Sequence, residues 1–259
     1  MIVYSEIESE VFGLKTGRFN ADEFNAAALR EEILAEKYDL VRIKIPAYFD
    51  DINVRLVEAG FPFYFAGGIR MLSWKTPECA NVFEPINKDL EIELYDGTQT
   101  ESLEHIIKSS YIFNPLGYYK TPGLNLIITK ELEAEAMFRY FAKYFNNTAY
   151  PDNYIWLMKR EGKHIGLCAL QFNKGVMGCP LGAVAPEAQS GGIFFDILRY
   201  SRHFAWQKGI KEIEAGIRSE NLVSQHVFIK QGKLDNAEIL NDTVDFVFHV
   251  VPMAGKGIK

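Results

Sequence analysis

The amino-acid sequence predicts an α/β protein of the α+β kind, a mixed sheet flanked by helices. Three observations carry this. A small-residue, strand-like run (Leu181 to Val184) turns through Gln189-Ser-Gly-Gly192 straight into an amphipathic helix. A hairpin pattern precedes it, Tyr154 to Phe172, turning at Arg160-Glu-Gly-Lys163. A strand–helix–strand unit follows it, and the same outline recurs near the N-terminus at an offset of 172 residues, Asp39 to Phe61 on Lys211 to Lys233.

In chain order, a helix is predicted over Asp22 to Lys37. The first copy of the repeat follows: a strand, a short turn, a helix stopped by Gly60, and a strand from Ile69 to Trp74. A linker with Pro77, Glu78, Pro85 and Asn87 comes next. It divides a first unit, residues 1–78, from a second, residues 88–259. The second unit opens with a strand (Leu90 to Tyr95) and helices over Glu101 to Tyr111 and Lys130 to Phe145. After the hairpin, the strand Met177 to Val184 contains Gly178, Pro180 and Gly182, which imply a bulge or splay rather than a regular central strand. The helix from Gly192 to Gln207 buries a stripe of Ile193, Ile197, Tyr200 and Phe204, and Lys208-Gly209 stops it. A strand (Ile213 to Ile217), a helix (Leu222 to Gln231, ended by Gly232) and a last strand (Val244 to Val251) complete the chain.

The Gln189 to Phe194 segment carries the chemistry. The first amides of a helix have no intrahelical acceptor, and the macrodipole adds roughly half a positive charge there. Glycine lets a phosphate oxygen approach the main chain where a Cβ would block it. The segment is not a P-loop, because neither lysine nor hydroxyl opens the helix, and no early G-x-G-x-x-G marks a dinucleotide fold. A plain strand–turn–helix junction has the same local pattern, so the alternative stays open on these residues alone.

Bulk properties narrow the classes. A net charge of −6 argues against nucleic acid as the main partner, since phosphate contacts need clustered Lys and Arg. The start, Met-Ile-Val-Tyr-Ser-Glu, has no secretory leader pattern, and no apolar run reaches the roughly 18 residues of a membrane span. Three cysteines without CxxC spacing (Cys79, Cys168, Cys179) fit a reducing, cytoplasmic setting. Five scattered histidines suggest no metal site.

Gln189 and Gly192 fit the Gln/Arg-x-x-Gly-x-Gly/Ala loop of GNAT superfamily N-acetyltransferases, with Phe194 standing where the second small residue belongs. Asn221 and Phe228, seven residues apart, take the places of the Asn and the aromatic residue of that superfamily's last core helix. The segment from about 155 to 252 resembles a GNAT core. The resemblance implies a mainly antiparallel sheet, and a truncated GNAT-like half ahead of a complete domain. It also implies acetyl-CoA as co-substrate, without a metal. Val11-Phe12-Gly13 and Phe248-His249, with this half-plus-full arrangement, resemble dTDP-fucosamine acetyltransferase and its relatives. The acceptor would then be the amine of a nucleotide-linked amino sugar.

Under this resemblance, main-chain groups of Ala183, Val184 and Ala185 bind pantetheine. The amides of Gln189, Ser190, Gly191, Gly192, Ile193 and Phe194 bind pyrophosphate. Asn221 holds the pantetheine arm or a water, or simply caps its helix. Tyr usually occupies the place of Phe228 and protonates the leaving thiolate, which a phenyl ring cannot do; a water held by Ser224 or Asn221 is the substitute. Tyr111, Tyr118 and Tyr119, with Phe113 and Asn114 beside them, would shape the acceptor pocket, and His249 would face the amine as base or orienter. Each has a plain structural alternative as core or surface packing. The expected partner is a small-molecule amine, with neither nucleic acid nor membrane, and a homodimer is the assembly held open. A peptide, polyamine or antibiotic acceptor, or a degenerate GNAT fold that binds coenzyme A or a partner without catalysis, are the competing readings.

Overall fold

The computed structural model describes residues 1–20, 25–48, 51–76, 85–113, 127–146, 149–189, 191–234 and 237–252. Among the described residues, ten strands form one sheet. The first part of the chain supplies β1 (Val3–Tyr4), α1 (Glu6–Phe12), β2 (Thr16–Asn20), α2 (Ala26–Glu36), β3 (Leu40–Pro46), α3 (Ile52–Glu58) and β4 (Phe63–Lys75). Next come β5 (Glu91–Leu94), α4 (Thr100–Phe113), α5 (Lys130–Tyr144), β6 (Asn153–Arg160), β7 (Lys163–Asn173) and β8 (Val176–Val184). The chain then forms α6 (Ile193–Gln207), β9 (Glu212–Arg218), α7 (Leu222–Leu234) and β10 (Ile239–Val250). The sequence reading placed the hairpin and the 130–145 helix to within a residue or two, and missed β1, α1 and β2.

The strand order is β1-β2-β3-β10-β4-β9-β8-β7-β6-β5. All ladders are antiparallel except β2 with β3 and β8 with β9. This is the mixed, mainly antiparallel sheet that the resemblance implied.

Alternation along β7 explains its nearly continuous apolar sequence, because both of its faces are covered. Leu167 and Ala169 pack under α4 and α5, while Cys168 and Leu170 pack under α6. On the same side as α6, α2 and α3 cover Ile43, Ile45, Phe248 and Val250, and α7 brings Phe228 and Ile229 onto Leu72, Trp74, Ala215 and Ile217. On the other side α1 joins α5 over Leu40. No described helix is long and apolar enough to cross a membrane.

The sheet crosses the boundary expected near residue 78. β4, from the first part of the chain, lies between β9 and β10 and pairs with both. The register of β10 on β3 matches that of β4 on β9. Pro46 pairs with Asp245 and Val41 with Val250, as Arg218 pairs with Ile69 and Ile213 with Trp74. β10 thus completes β3 in the way that β4 completes β9, about a pseudo-twofold through the Ile69–Asp245 pair.

One predicted stop is overturned. α7 runs through Gly232 to Leu234. Glycine is needed there for space: a Cβ would lie 2.8 Å from Trp74 Nε1. Gly60 and Gly209, at φ 73° and 68°, are true left-handed stops.

Candidate functional site

The site is built on the parallel β8–β9 pair. The described pairing runs from Val176–Glu212 to Gly178–Glu214, after which the two strands part. The ladder from β8 to β7 meanwhile shifts register between Ala169 and Gln171, opposite the Gly178-Cys-Pro180 run. This is the splay expected from Gly178, Pro180 and Gly182: a proline has no ladder N–H to give, and glycines stabilise a strand poorly. The corresponding β2–β3 pair continues two residues further along the same alignment, to Asn20–Lys44, and stays closed.

Main-chain direction follows from the β7 ladder. Ala185 N–H donates to Ile165 O at 2.9 Å. In an antiparallel ladder, alternate residues turn their amides to opposite edges. Ala183 and Ala185 therefore face β7, while Gly182 and Val184 turn toward the wedge. Of the three residues expected to hold a pantetheine arm by main-chain bonds, Val184 is the one whose amide turns toward the wedge, and Gly182 shares that orientation.

One 3₁₀ turn, Pro186–Ala188, links β8 to the loop, and Gln189 Nε2 folds back to Val184 O at 3.3 Å. Gly192 is the N-cap of α6 at φ 74° and has no side chain to cap with. The helical ladder begins with Phe195 and Asp196 amides donating to Gly192 O, so the amides of Ile193 and Phe194 lie ahead of it at the positive end. Ser190 lies outside the described residues.

A buried carboxylate fixes this corner. Asp196, 0% exposed in the first turn of α6, accepts from Ile86 N (2.7 Å), Asn87 N (3.0 Å) and Asn87 Nδ2 (2.7 Å). Arg160 Nη2 donates to Asn87 Oδ1 at 2.8 Å, and Arg160 pairs with Asp89. The linker is thus strapped across the start of α6, with Asn87 beside Gly192. The sequence did offer a sign of this: an Asp three residues after Ile193, at the edge of an apolar stripe.

The remaining candidates are distributed as follows. Asn221 Oδ1 accepts from Ser224 N at 3.1 Å, which is a helix N-cap bond. Ser224 is half-buried on the same helix. The Phe228 ring stacks on Trp74 (centroids 5.6 Å, interplanar 11°) and meets Phe194 edge-on (5.9 Å, 73°). Tyr111 packs into the α4–α5 core. Phe113 is exposed at the end of α4. Asn114, Tyr118 and Tyr119 lie outside the described residues.

His249 is not brought to the loop. It sits on β10, three strands from β8, which is roughly 14 Å at sheet spacing. It is 0% exposed, and burial, with Arg42 and Arg218 nearby, pushes its pKa down to about 3 against the opposing pull of Glu8. The ring is therefore neutral near pH 7 and a weak base. Next to it Glu8 pairs with Arg18 (3.0 Å) and Arg42 (3.6 Å).

With this geometry in view, residues 116–233 match the family model described as an acetyltransferase (GNAT) domain. The matched span is just under half of the chain. The matched span contains the splay, the glycine loop and both helices around it, and the enzyme class is that of an N-acetyltransferase. The fold is similar to a functionally unknown conserved protein from Staphylococcus epidermidis ATCC 12228, at 11% identity over 96% of this chain and 90% of that one, TM-score 0.62. It is similar to a GCN5-related N-acetyltransferase from Kribbella flavida, at 10% identity over 91% and 81% of the two chains, TM-score 0.55. A tandem GNAT protein from the clavulanic acid biosynthesis pathway aligns at 11% identity over 92% and 75%, TM-score 0.53. No curated protein matches the chain.

Proposed function

We propose that the protein transfers an acetyl group from acetyl-CoA to the primary amine of a small acceptor, a nucleotide-linked amino sugar. The observation that carries the donor half is the parting of β8 and β9 directly ahead of a left-handed glycine and an α6 start without a side-chain cap. The acceptor class rests on the resemblance carried by Val11-Phe12-Gly13 and Phe248-His249. The same reading divides the chain into a truncated GNAT-like half, 1–78, and a complete domain, 88–259. The matched registers around β4 and β10 support that division as a duplication whose last strands have changed places.

Acetyl-CoA supplies an activated thioester, whose carbonyl carbon the neutral amine attacks and whose C–S bond then breaks. The amides of Ile193 and Phe194, with Gly191 and Gly192, hold the pyrophosphate. Val184 N–H donates to the thioester oxygen, where negative charge develops. Phe228 offers no proton to the departing thiolate. A thiol of pKa about 8.5 leaves unprotonated near pH 7 at a cost of about 2 kcal/mol, so solvent or a water on Ser224 suffices. A second reading, coenzyme binding without transfer, is favoured by one observation: Phe194 and Phe228 both lack what the GNAT pattern has at their positions.

The test is thiol release from acetyl-CoA, with mass-spectrometric detection of acetylated product, across nucleotide-linked amino sugars, free amino sugars, polyamines and peptides. Release that depends on a nucleotide-linked amino sugar is the expected result. Acetyl-CoA binding with no acceptor-dependent release across the panel would replace transfer by the binding role.

A further inference from the structure

Phe194, the second residue of α6, has its ring lying on Gly182. A Cβ built on that glycine would fall 2.7 Å from Phe194 Cε2. Gly182 is one of the two β8 residues whose amides turn into the wedge, and the ring lies on the sheet face directly beside that edge, where a donor arm has to pass. Its edge meets Phe228, which stacks flat on Trp74. Three rings, from α6, α7 and β4, therefore form one run on this face of the sheet, from Gly182 on β8 to Trp74, which pairs with Ile213 of β9. Trp74 comes from the first 78 residues through the placement of β4, and Gly232 leaves room for its indole.

Beneath the rings, a cavity lined by Trp74, Cys179, Ser201 and Phe228 measures about 20 Å3. That is room for one water, against the roughly 300 Å3 or more of ordinary ligand sites. Phe194 is half-buried in the first turn of its helix, where a change of rotamer disturbs no ladder bond.

We propose that Phe194 is the gate of the donor site: acyl-CoA engages the β8 main chain only when this ring swings off Gly182, and the Phe228–Trp74 stack stays in place as the fixed wall. The proposal rests on the acyl-CoA reading above. It also assigns the first part of the chain a share in the donor site, through Trp74.

The test compares the parent protein with Phe194→Ala by calorimetric titration of two ligands. Acetyl-CoA needs the wedge, whereas adenosine 3′-phosphate 5′-diphosphate, the nucleotide end alone, needs only the loop. The variant should bind acetyl-CoA about 10-fold tighter, since the parent gives up one aromatic edge contact on opening. The nucleotide should bind both proteins equally. In stopped-flow mixing, the parent's observed rate should saturate with acetyl-CoA concentration and the variant's should rise linearly. Equal or weaker acetyl-CoA binding by the variant, with the nucleotide still bound, overturns the gate and leaves the site reading intact. Failure of both ligands on both proteins removes the site reading, and the gate with it. If Phe194→Ala does not fold, Phe194→Leu takes its place with the same expectations.

Discussion

Replacing Gly192 separates charge from shape at the proposed phosphate loop. Its φ of 74° is left-handed, a region that Asn and Asp tolerate better than other side chains. A Cβ at this position meets only Asn87 Nδ2, at 3.6 Å, an ordinary contact. Gly192→Asn and Gly192→Asp should therefore fold alike and share one backbone cost, and their difference isolates a single negative charge. A carboxylate about 4 Å from a phosphate oxygen loses about 1 kcal/mol in bulk water and about 4 kcal/mol at an effective dielectric of 20. The loop is open to solvent, so the lower part of that range applies, and Gly192→Asp should bind acetyl-CoA about 10-fold more weakly than Gly192→Asn. Calorimetric titration at two salt concentrations measures this, with thermal unfolding as the control for folding. The gap should shrink as salt shortens the Debye length from about 10 Å at 0.1 M to about 3 Å at 1 M. Equal affinities for the two variants, independent of salt, would place the phosphates elsewhere.

Three further outcomes follow from particular side chains. Phe228→Tyr, which restores a hydroxyl, should raise kcat by about 10-fold with a smaller change in KM, within the range a general acid supplies; steady-state kinetics that leave kcat unchanged would remove the leaving-group argument. Glu8 is 4% exposed; burial raises its pKa, but Arg42 and Arg18 outweigh that and hold it at about 2, below the usual 4.5. Its contribution, about 3 kcal/mol, is complete above pH 4.5 and lost as the pH falls through 2, so urea midpoints of Glu8→Gln should lie well below the parent at pH 7 and converge in strong acid. His249, pushed down to about 3, resists protonation only while folded, so its part of the stability is present above pH 6.5 and lost on acidification toward 3. His249→Gln should flatten the unfolding profile over that window, and an unchanged slope would refute the assignment.

The sequence by itself determined the local elements from α2 onward and the glycine loop, though not β1, α1 and β2. Glycines at 191 and 192, the 3.6-residue stripe from Ile193 to Phe204 and the Gly178-Cys-Pro-Leu-Gly182 run are short-range signals, since turn geometry, helix periodicity and strand breaking are decided within a few residues. The repeat was legible for the same reason, because each copy folds the same local pattern. Tertiary structure alone decided which strands meet. β4 leaves the unit that its chain position suggests and pairs with β9, and Trp74 arrives under Phe228 from 154 residues away in the sequence. Local pattern does not encode such pairings, which depend on which sheet edges remain open once the helices have packed. It likewise could not read Gly232, which looked like a helix stop and is a space for an indole, or His249, whose burial and neighbouring arginines come from α1, β3 and β9 together. Phe194 and Phe228 were legible as positions in the loop and the last core helix, because those are local patterns; their contact with each other and with Trp74 joins three elements that touch only in the folded sheet.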